Sequence, residues 1–198
     1  VQERAVGVVE PFSVACDEAS EDARDGCGVF VSASLGSDEE GAGTSERPFR
    51  TLVKALAAAK DRHRTVYACA ERFDEAIVVA GGTRLLGGFA CADDWARATP
   101  GKRTEVRSGP GIPALRVEPS ARAARFVDVL FQAADAVDPG GSSIAALLPD
   151  GSMASFLRCQ FVAGRGMRGR DGQALSAGPL VASSGPHGLT GASACSAP

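Results

Sequence analysis

The sequence lacks several features that would point directly to a function. It contains no run of about 18 apolar residues, so a membrane-spanning helix of ordinary length is not expected. Only two histidines, His63 and His187, are present and no Cys-x-x-Cys pair occurs, which argues against a zinc site. The net charge of −3 argues against non-specific binding of nucleic acid by the whole surface, and no nucleic-acid partner is expected.

The cysteines are six in number and scattered along the chain. An even, scattered set is typical of a protein that forms disulfides in an oxidising compartment, so we expect secretion or exposure at the outer cell surface. Buried free thiols are the alternative. The first two cysteines flank an acidic stretch with five acids and one arginine, and the next two are about one repeat of the chain apart. The expected pairs are Cys16–Cys27, Cys69–Cys91 and Cys159–Cys195.

Composition divides the chain into four segments. They are an acidic, Cys-bridged N-terminal segment (1–27), a glycine-rich turn with a capping helix (28–64), a series of strands (65–174) and an irregular tail rich in Gly, Ala, Ser and Pro (175–198). The helix is expected over residues 48–61 with Ser45 as its N-cap. Its apolar stripe consists of Phe49, Leu52, Leu56 and Ala59.

The strand segment has short runs rich in Val, Ile, Leu and Phe, separated by Gly, Pro, Asp and Ser. Since no helical pattern follows any run, a βαβ sheet is excluded. Apolar residues recur every 20 residues, at Val66, Leu86, Val106 and Phe126, and Leu147 follows. This repeat predicts an all-β fold, a right-handed single-stranded parallel β-helix in which these residues form one buried column. An up-and-down β-sandwich is the alternative.

One segment resembles a known family. The run Gly36-x-Asp38, then Gly43-Thr44-x-x-x-Pro48-Phe49-x-Thr51-Leu52, is similar to the start of pectin-lyase-like secreted bacterial β-helix proteins, where it leads into a capping helix. The later run Arg158-Cys159-x-x-x-Ala163-Gly164-x-Gly166 resembles a Cys-bearing subgroup of surface or lipid-anchored proteins. The resemblance covers roughly residues 28–172. It implies the β-helix architecture, and any membrane attachment is expected only through a lipid anchor outside this sequence.

Basic residues are concentrated in the middle of the chain. Residues 97–125 hold seven Lys or Arg and two acids, a local charge of +5. Stacked coils would bring such residues into a basic stripe suited to an acidic polymer, although a spread around the coil is the alternative. Trp95, in a turn, is a candidate to stack on a sugar ring. The candidate ligand-binding residues are Arg103, Arg107, Arg125, Arg158 and Trp95.

A glycine-rich turn carries the only candidate metal site. Asp38, Glu39 and Glu40 offer the carboxylate oxygens that Ca²⁺ takes, so calcium is the one cofactor considered. The turn lacks the spaced acids of a dedicated calcium loop, and a solvated turn is the alternative.

Two functions from different classes follow from these observations. The first is a non-catalytic surface protein that binds an acidic polysaccharide or another envelope component, or that packs into a self-assembly. The second is a polysaccharide lyase or glycoside hydrolase, which needs paired carboxylates or an acid cluster beside a basic residue. No such constellation stands in the sequence, so no catalytic residue is assigned and the non-catalytic function is favoured.

Overall fold

The computed structural model describes residue 16, residues 20–60 and residues 65–172. In this part of the chain the structure is predominantly β, with one α-helix, α1 (Leu52–Lys60), and short strands that form three sheets. The first sheet has the order β1 (Gly28–Val31), β2 (Thr65–Cys69), β5 (Arg84–Ala90), β9 (Ala124–Val127) and β12 (Ala154–Leu157), with β6 (Ala96–Arg97) beside β5. The second consists of β3 (Arg72–Phe73), β7 (Thr104–Ser108), β10 (Val129–Ala133) and β13 (Gln160–Val162). The third consists of β4 (Ile77–Val79), β8 (Leu115–Val117) and β11 (Ala146–Leu147).

The described strand pairs are parallel, except that β6 pairs antiparallel with β5. From β2 onward the chain passes from the first sheet to the second and the third, and then returns to the first. Two neighbouring parallel strands need a connection that returns the chain to the end of the sheet where the first strand began. Here the strands of the second and third sheets form that connection. An up-and-down sandwich, which needs antiparallel neighbours, does not fit this pairing.

The three sheets share one apolar core. Successive strands of the first sheet stack their inward side chains in register, and the column consists of Val29, Val66, Leu85, Phe126 and Phe156. The second sheet contributes Phe73, Val106 and Phe131, which are also register partners. The third contributes Ile77 and Leu115. The core is thus built from apolar side chains that stack on one another from each strand to the next.

The predicted column with a 20-residue period is wrong, although four of its members, Val66, Leu86, Val106 and Phe126, are all buried. Leu86 pairs with Tyr67 on the opposite face of the first sheet, because a shift of one residue reverses the direction of a side chain in a strand. Val106 lies in the second sheet. Leu147 pairs with Arg116 in the third sheet and is only half-buried.

The outer face of the first sheet carries a second apolar cluster. Phe30, Tyr67 and Leu86 come from the strands, and Trp95 from the turn after β5 covers them. Burial of this face explains why every residue of β1 and β2 is buried, whereas strands of a one-sided sheet alternate.

Helix α1 packs against β1, β2 and β4 through Leu52, Ala55, Leu56 and Ala59. It starts four residues later than predicted. Thr51 is the N-cap, since its Oγ1 accepts a hydrogen bond from the N–H of Lys54 at 3.2 Å. The predicted cap, Ser45, instead donates its hydroxyl to Asp25 at 2.7 Å.

Two of the predicted disulfides are confirmed. Cys16 and Cys27 are bonded with a Cα–Cα distance of 5.4 Å, and Cys69 and Cys91 with a distance of 5.6 Å. Cys159 is bonded to no described cysteine, and its predicted partner Cys195 lies outside the described residues. Two disulfides indicate an oxidising environment. Within the described residues, no helix has the length and apolar character needed to cross a bilayer.

Candidate functional site

Charged side chains gather beside the outer apolar cluster of the first sheet. Arg84 on β5 and Arg125 on β9 are register partners, so their Cα atoms face each other on neighbouring strands. Arg97 follows the turn that holds Trp95, Arg122 precedes β9, and Arg158 follows β12. We call these five residues the arginine cluster: Arg84, Arg97, Arg122, Arg125 and Arg158.

Two carboxylates hold part of this cluster together. Glu21 accepts ion pairs from Arg158 at 2.6 Å, Arg97 at 3.3 Å and Arg125 at 3.5 Å. Asp128 pairs with Arg158 at 2.7 Å and with Arg97 at 3.2 Å. Glu21 comes from the N-terminal segment, which the Cys16–Cys27 bridge ties to the start of β1. An acidic residue far away in sequence is thereby placed on the first sheet.

Two arginines of the cluster have shifted pKa values. Burial lowers the pKa of Arg97, although the charges of Asp128 and Glu21 oppose that shift. Hydrogen bonds to Asp128 and Glu21 raise the pKa of Arg158 above its ordinary range, because they favour the charged form. Both groups are fully charged at neutral pH.

The cluster retains a positive charge. Glu21 and Asp128 pair with three of the five arginines, and Asp22 also acts on Arg97 through its charge. Five positive and three negative charges leave a local excess of +2. Arg84 donates to Thr65 Oγ1 at 3.2 Å and to the carbonyl of Ser20 at 3.3 Å, which are neutral acceptors. Among the described residues, no carboxylate pairs with Arg122 or Arg84.

The structure brings only some residues of the predicted basic stripe together. Arg125 and Arg158 belong to the cluster, and Arg103 lies beside it because its Nε donates to the carbonyl of Arg158 at 2.8 Å. Arg107 lies on the second sheet, opposite Gln132, and pairs with Glu105 at 2.8 Å. The register partner of Arg125 is Arg84, which lies outside the basic segment 97–125.

The prediction that Trp95 stacks on a sugar is wrong. Only 6% of its surface is exposed, since the indole packs edge-on against Phe30 with ring centroids 4.7 Å apart. Its Nε1 donates to the carbonyl of Ser45 at 3.1 Å. The turn therefore folds the indole onto the first sheet, and Trp95 has a packing role.

The chain matches no protein-family model, no curated protein and no solved structure. The likeness of its first turn to pectin-lyase-like proteins thus has no support from any longer match. What this protein does has to be inferred from the geometry of its own residues.

A pocket of about 410 Å³ opens within the arginine cluster. Its walls come from two turns and three neighbouring strands of the first sheet, and it is lined by Gly82, Arg84, Arg122, Ala123, Arg125 and Ser155. Three guanidinium groups and one hydroxyl are all hydrogen-bond donors, so the pocket is suited to an anion.

The predicted calcium ligands do not converge in the structure. Asp38 uses both carboxylate oxygens within the fold, since they accept hydrogen bonds from the N–H groups of Arg50 and Thr51 and from the Thr51 hydroxyl, at 2.8–3.1 Å. Among the described residues, no group of three His, Cys, Asp or Glu side chains is arranged to hold a metal ion.

A second pocket, of about 360 Å³, carries two acids, Glu71 and Asp93, together with Lys102. Paired acids are what a hydrolase needs, but Glu71 is already engaged. Its carboxylate accepts hydrogen bonds from the hydroxyls of Ser32 and Ser34 and from the N–H of Ser34. Glu71 therefore holds the turn after β1 in place.

Sequence reasoning missed Glu21 and Arg84 and did not assign Arg97, Arg122 or Asp128 to the binding site. Arg84 lies outside the basic segment 97–125, and 41 residues separate it from its strand partner Arg125. The missed signal was the acidic stretch between Cys16 and Cys27, whose charge complements that of the basic segment. Its placement depends on a disulfide and on contacts between distant parts of the chain.

Proposed function

We propose that this chain is a right-handed parallel β-helix protein, secreted or exposed at the cell surface, that binds an acidic polymer of the envelope without transforming it. The observation that carries the proposal is the arginine cluster, which leaves an excess of +2 on the outer face of the first sheet of a chain whose net charge is −3.

The architecture supports this proposal. Three sheets visited in a fixed order, with parallel neighbours and inward columns of like residues, fit a β-helix in which each passage forms one coil. Neighbouring strands in such a fold lie about 4.8 Å apart, so charges on their outer faces form rows. A row of guanidinium groups matches the repeated charges of a linear polyanion.

Two disulfides support the location, since they form where the environment is oxidising.

The choice of a binding role over cleavage depends on whether an acidic side chain is free to act on the polymer. Asp128 is held by two arginines and Glu71 by two serines, so neither offers a free carboxylate to a glycosidic bond.

The test is binding of the whole chain to polygalacturonate at low ionic strength, with a neutral glucan as the control polymer. We expect affinity for the acidic polymer alone, falling steeply as salt rises, because each neutralised charge releases a counterion. The double variant Arg84→Gln/Arg125→Gln should lose at least tenfold in affinity. Arg168→Gln is the matched control, since Arg168 is 83% exposed and its one ion pair among the described residues is with Asp171.

Three results would contradict the proposal. One is the absence of binding to any acidic polymer at low salt. Another is unchanged affinity in the double variant. The third is the appearance of shortened or unsaturated products, which would show that the chain cleaves the polymer and would favour the lyase or hydrolase alternative.

A further inference from the structure

The pocket in the arginine cluster is built by the register of the first sheet. Arg84, Arg125 and Ser155 are successive register partners on β5, β9 and β12, so their side chains form one row on the outer face. Arg122 comes from the turn that precedes β9. This turn hydrogen-bonds to the turn that precedes β5, through the N–H of Gly82 and the carbonyl of Ala123 at 3.2 Å.

Gly82 lies next to the side chain of Arg122 in a turn whose backbone favours glycine. Its φ is +81°, a left-handed conformation that favours glycine, and a Cβ at this position would lie 3.4 Å from Nε of Arg122 and 3.6 Å from its Cζ. Glycine is therefore favoured by the backbone conformation of the turn, and the guanidinium of Arg122 lines the pocket together with Arg84 and Arg125.

The charges of the pocket are only partly balanced. Arg84 binds neutral oxygens, Arg122 has no ion pair within the described residues, and Arg125 has the carboxylate of Glu21 at 3.5 Å. Three positive charges and one negative charge leave +2. The carboxylate of Glu21 lies beside Arg125, at the edge of this row.

We propose that this pocket binds one phosphate group, carried as a monoester by the acidic polymer of the proposed function or present as free phosphate. Where the phosphate is part of the polymer, this inference rests on the proposed function. A phosphate monoester carries about −1.5 to −2 charges at neutral pH and three acceptor oxygens, which match a pocket of +2 with three guanidinium groups. A carboxylate carries only one charge, so it leaves part of the +2 excess of the pocket without compensation.

The inference is tested by calorimetric titration of the whole chain with inorganic phosphate, glucose 6-phosphate and glucuronate. Glucose 6-phosphate and inorganic phosphate should bind at least tenfold more tightly than glucuronate. Arg122→Gln should weaken phosphate binding at least tenfold, and Arg168→Gln should leave it unchanged. Glu21→Gln should tighten it severalfold, because the competing carboxylate becomes neutral.

The outcomes separate this inference from the proposed function. If polygalacturonate binds but phosphate does not, or if Arg122→Gln binds phosphate as well as the unaltered chain, the pocket inference is wrong and polymer binding stands. If phosphate binds and no acidic polymer does, the pocket takes a free phosphate and the proposed function is wrong. Equal affinity for glucuronate and glucose 6-phosphate would overturn the choice of phosphate.

Discussion

Asp128 links the backbone of the first sheet to its surface charge. It lies between β9 and β10 with a φ of 54°, in the left-handed region that Asp and Asn tolerate better than most residues. Arg158, at the next strand junction, has the same φ of 54°. The N–H of Asp128 donates to the carbonyl of Leu157 at 3.0 Å, which places the two left-handed residues side by side. Their side chains therefore meet.

Replacement of Asp128 by Asn tests the strength of this contact. The variant keeps the size and the left-handed tendency of the side chain but removes its charge, so Arg97 and Arg158 lose a charged acceptor. Because the Asp128 side chain is only 17% exposed, we expect a loss of about 1–2 kcal/mol in the free energy of unfolding. Urea denaturation, followed by the fluorescence of the only tryptophan, Trp95, measures this quantity.

The matched control for this prediction is Asp74→Asn. Asp74 pairs with Arg72 at 2.6 Å, but their side chains are 64% and 56% exposed, so water screens the pair. The control should change stability by less than about 0.5 kcal/mol. Equal losses in the two variants would mean that Asp128 acts only as a surface residue.

At the scale of the element, two carboxylates serve the start of α1 in different ways. Glu75 accepts the N–H groups of Leu52 at 2.7 Å and Val53 at 2.9 Å. Burial raises the pKa of Glu75 above its ordinary value of 4.5, and these hydrogen bonds only partly offset it. Burial also acts to raise the pKa of Asp38, but hydrogen bonds from Thr51 and Arg50 and the charge of Lys54 outweigh it and hold that pKa below 3.8.

These opposite shifts predict opposite dependences of stability on pH. A lowered folded pKa means that Asp38 contributes stability above its unfolded pKa and loses it as pH falls through the folded value. A raised folded pKa means that Glu75 binds more protons in the folded state, so its contribution declines as pH rises above about 4.5. The stability lost in Asp38→Asn should be about 1 kcal/mol at pH 7 and should shrink below pH 3.8.

Glu75→Gln provides the comparison within the same element. Its stability relative to the unaltered chain should increase as pH rises from 4.5, because the variant has no buried carboxylate to ionise. Unfolding free energies measured from pH 3 to pH 7 for both variants check the signs. Parallel pH profiles in the two variants would mean that the cause assigned to each pKa shift is incorrect.

At the scale of the whole molecule, disulfides hold the covering segments on the first sheet. Cys69–Cys91 ties the end of β2 to the turn that carries Trp95, and Cys16–Cys27 ties the segment that carries Glu21 to β1. Both the outer apolar cluster and the ion pairs of the arginine cluster thus depend on cross-linked segments.

Cys159 is half-buried, and burial raises the pKa of its thiol, so as a free thiol it would be a poor nucleophile at neutral pH.

The third pair, Cys159–Cys195, remains a prediction that thiol titration can check. The denatured, unreduced chain should show essentially no free thiol, since the six cysteines would all be oxidised. Cys159→Ser should then release one thiol per chain, whereas the unaltered chain releases none. Two free thiols in the unaltered chain would contradict this pair and leave the two described disulfides in place.

The sequence by itself determined the kind of structure. Short Val- and Phe-rich runs predicted strands and the 20-residue repeat predicted their parallel stacking. The stripe at Leu52 and Leu56 predicted the helix, and the spacing of Cys69 and Cys91 predicted their bond. These features follow from local preference and from side-chain periodicity, which a single chain carries in its order of residues. The 20-residue column failed because the connections between strands are unequal.

Only the tertiary structure decided which residues meet. The inward partners on the first sheet are Val66, Leu85, Phe126 and Phe156, at separations of 19, 41 and 30 residues. Such unequal separations have no regular period. The turn that contains Trp95 lengthens the passage from β5 to β9, and the connection from β10 to β11 is longer than that from β3 to β4. The meeting of Arg84 with Arg125, and of Glu21 with both Arg97 and Arg158, therefore depends on strand register and on a disulfide-tethered segment, neither of which sequence spacing reveals.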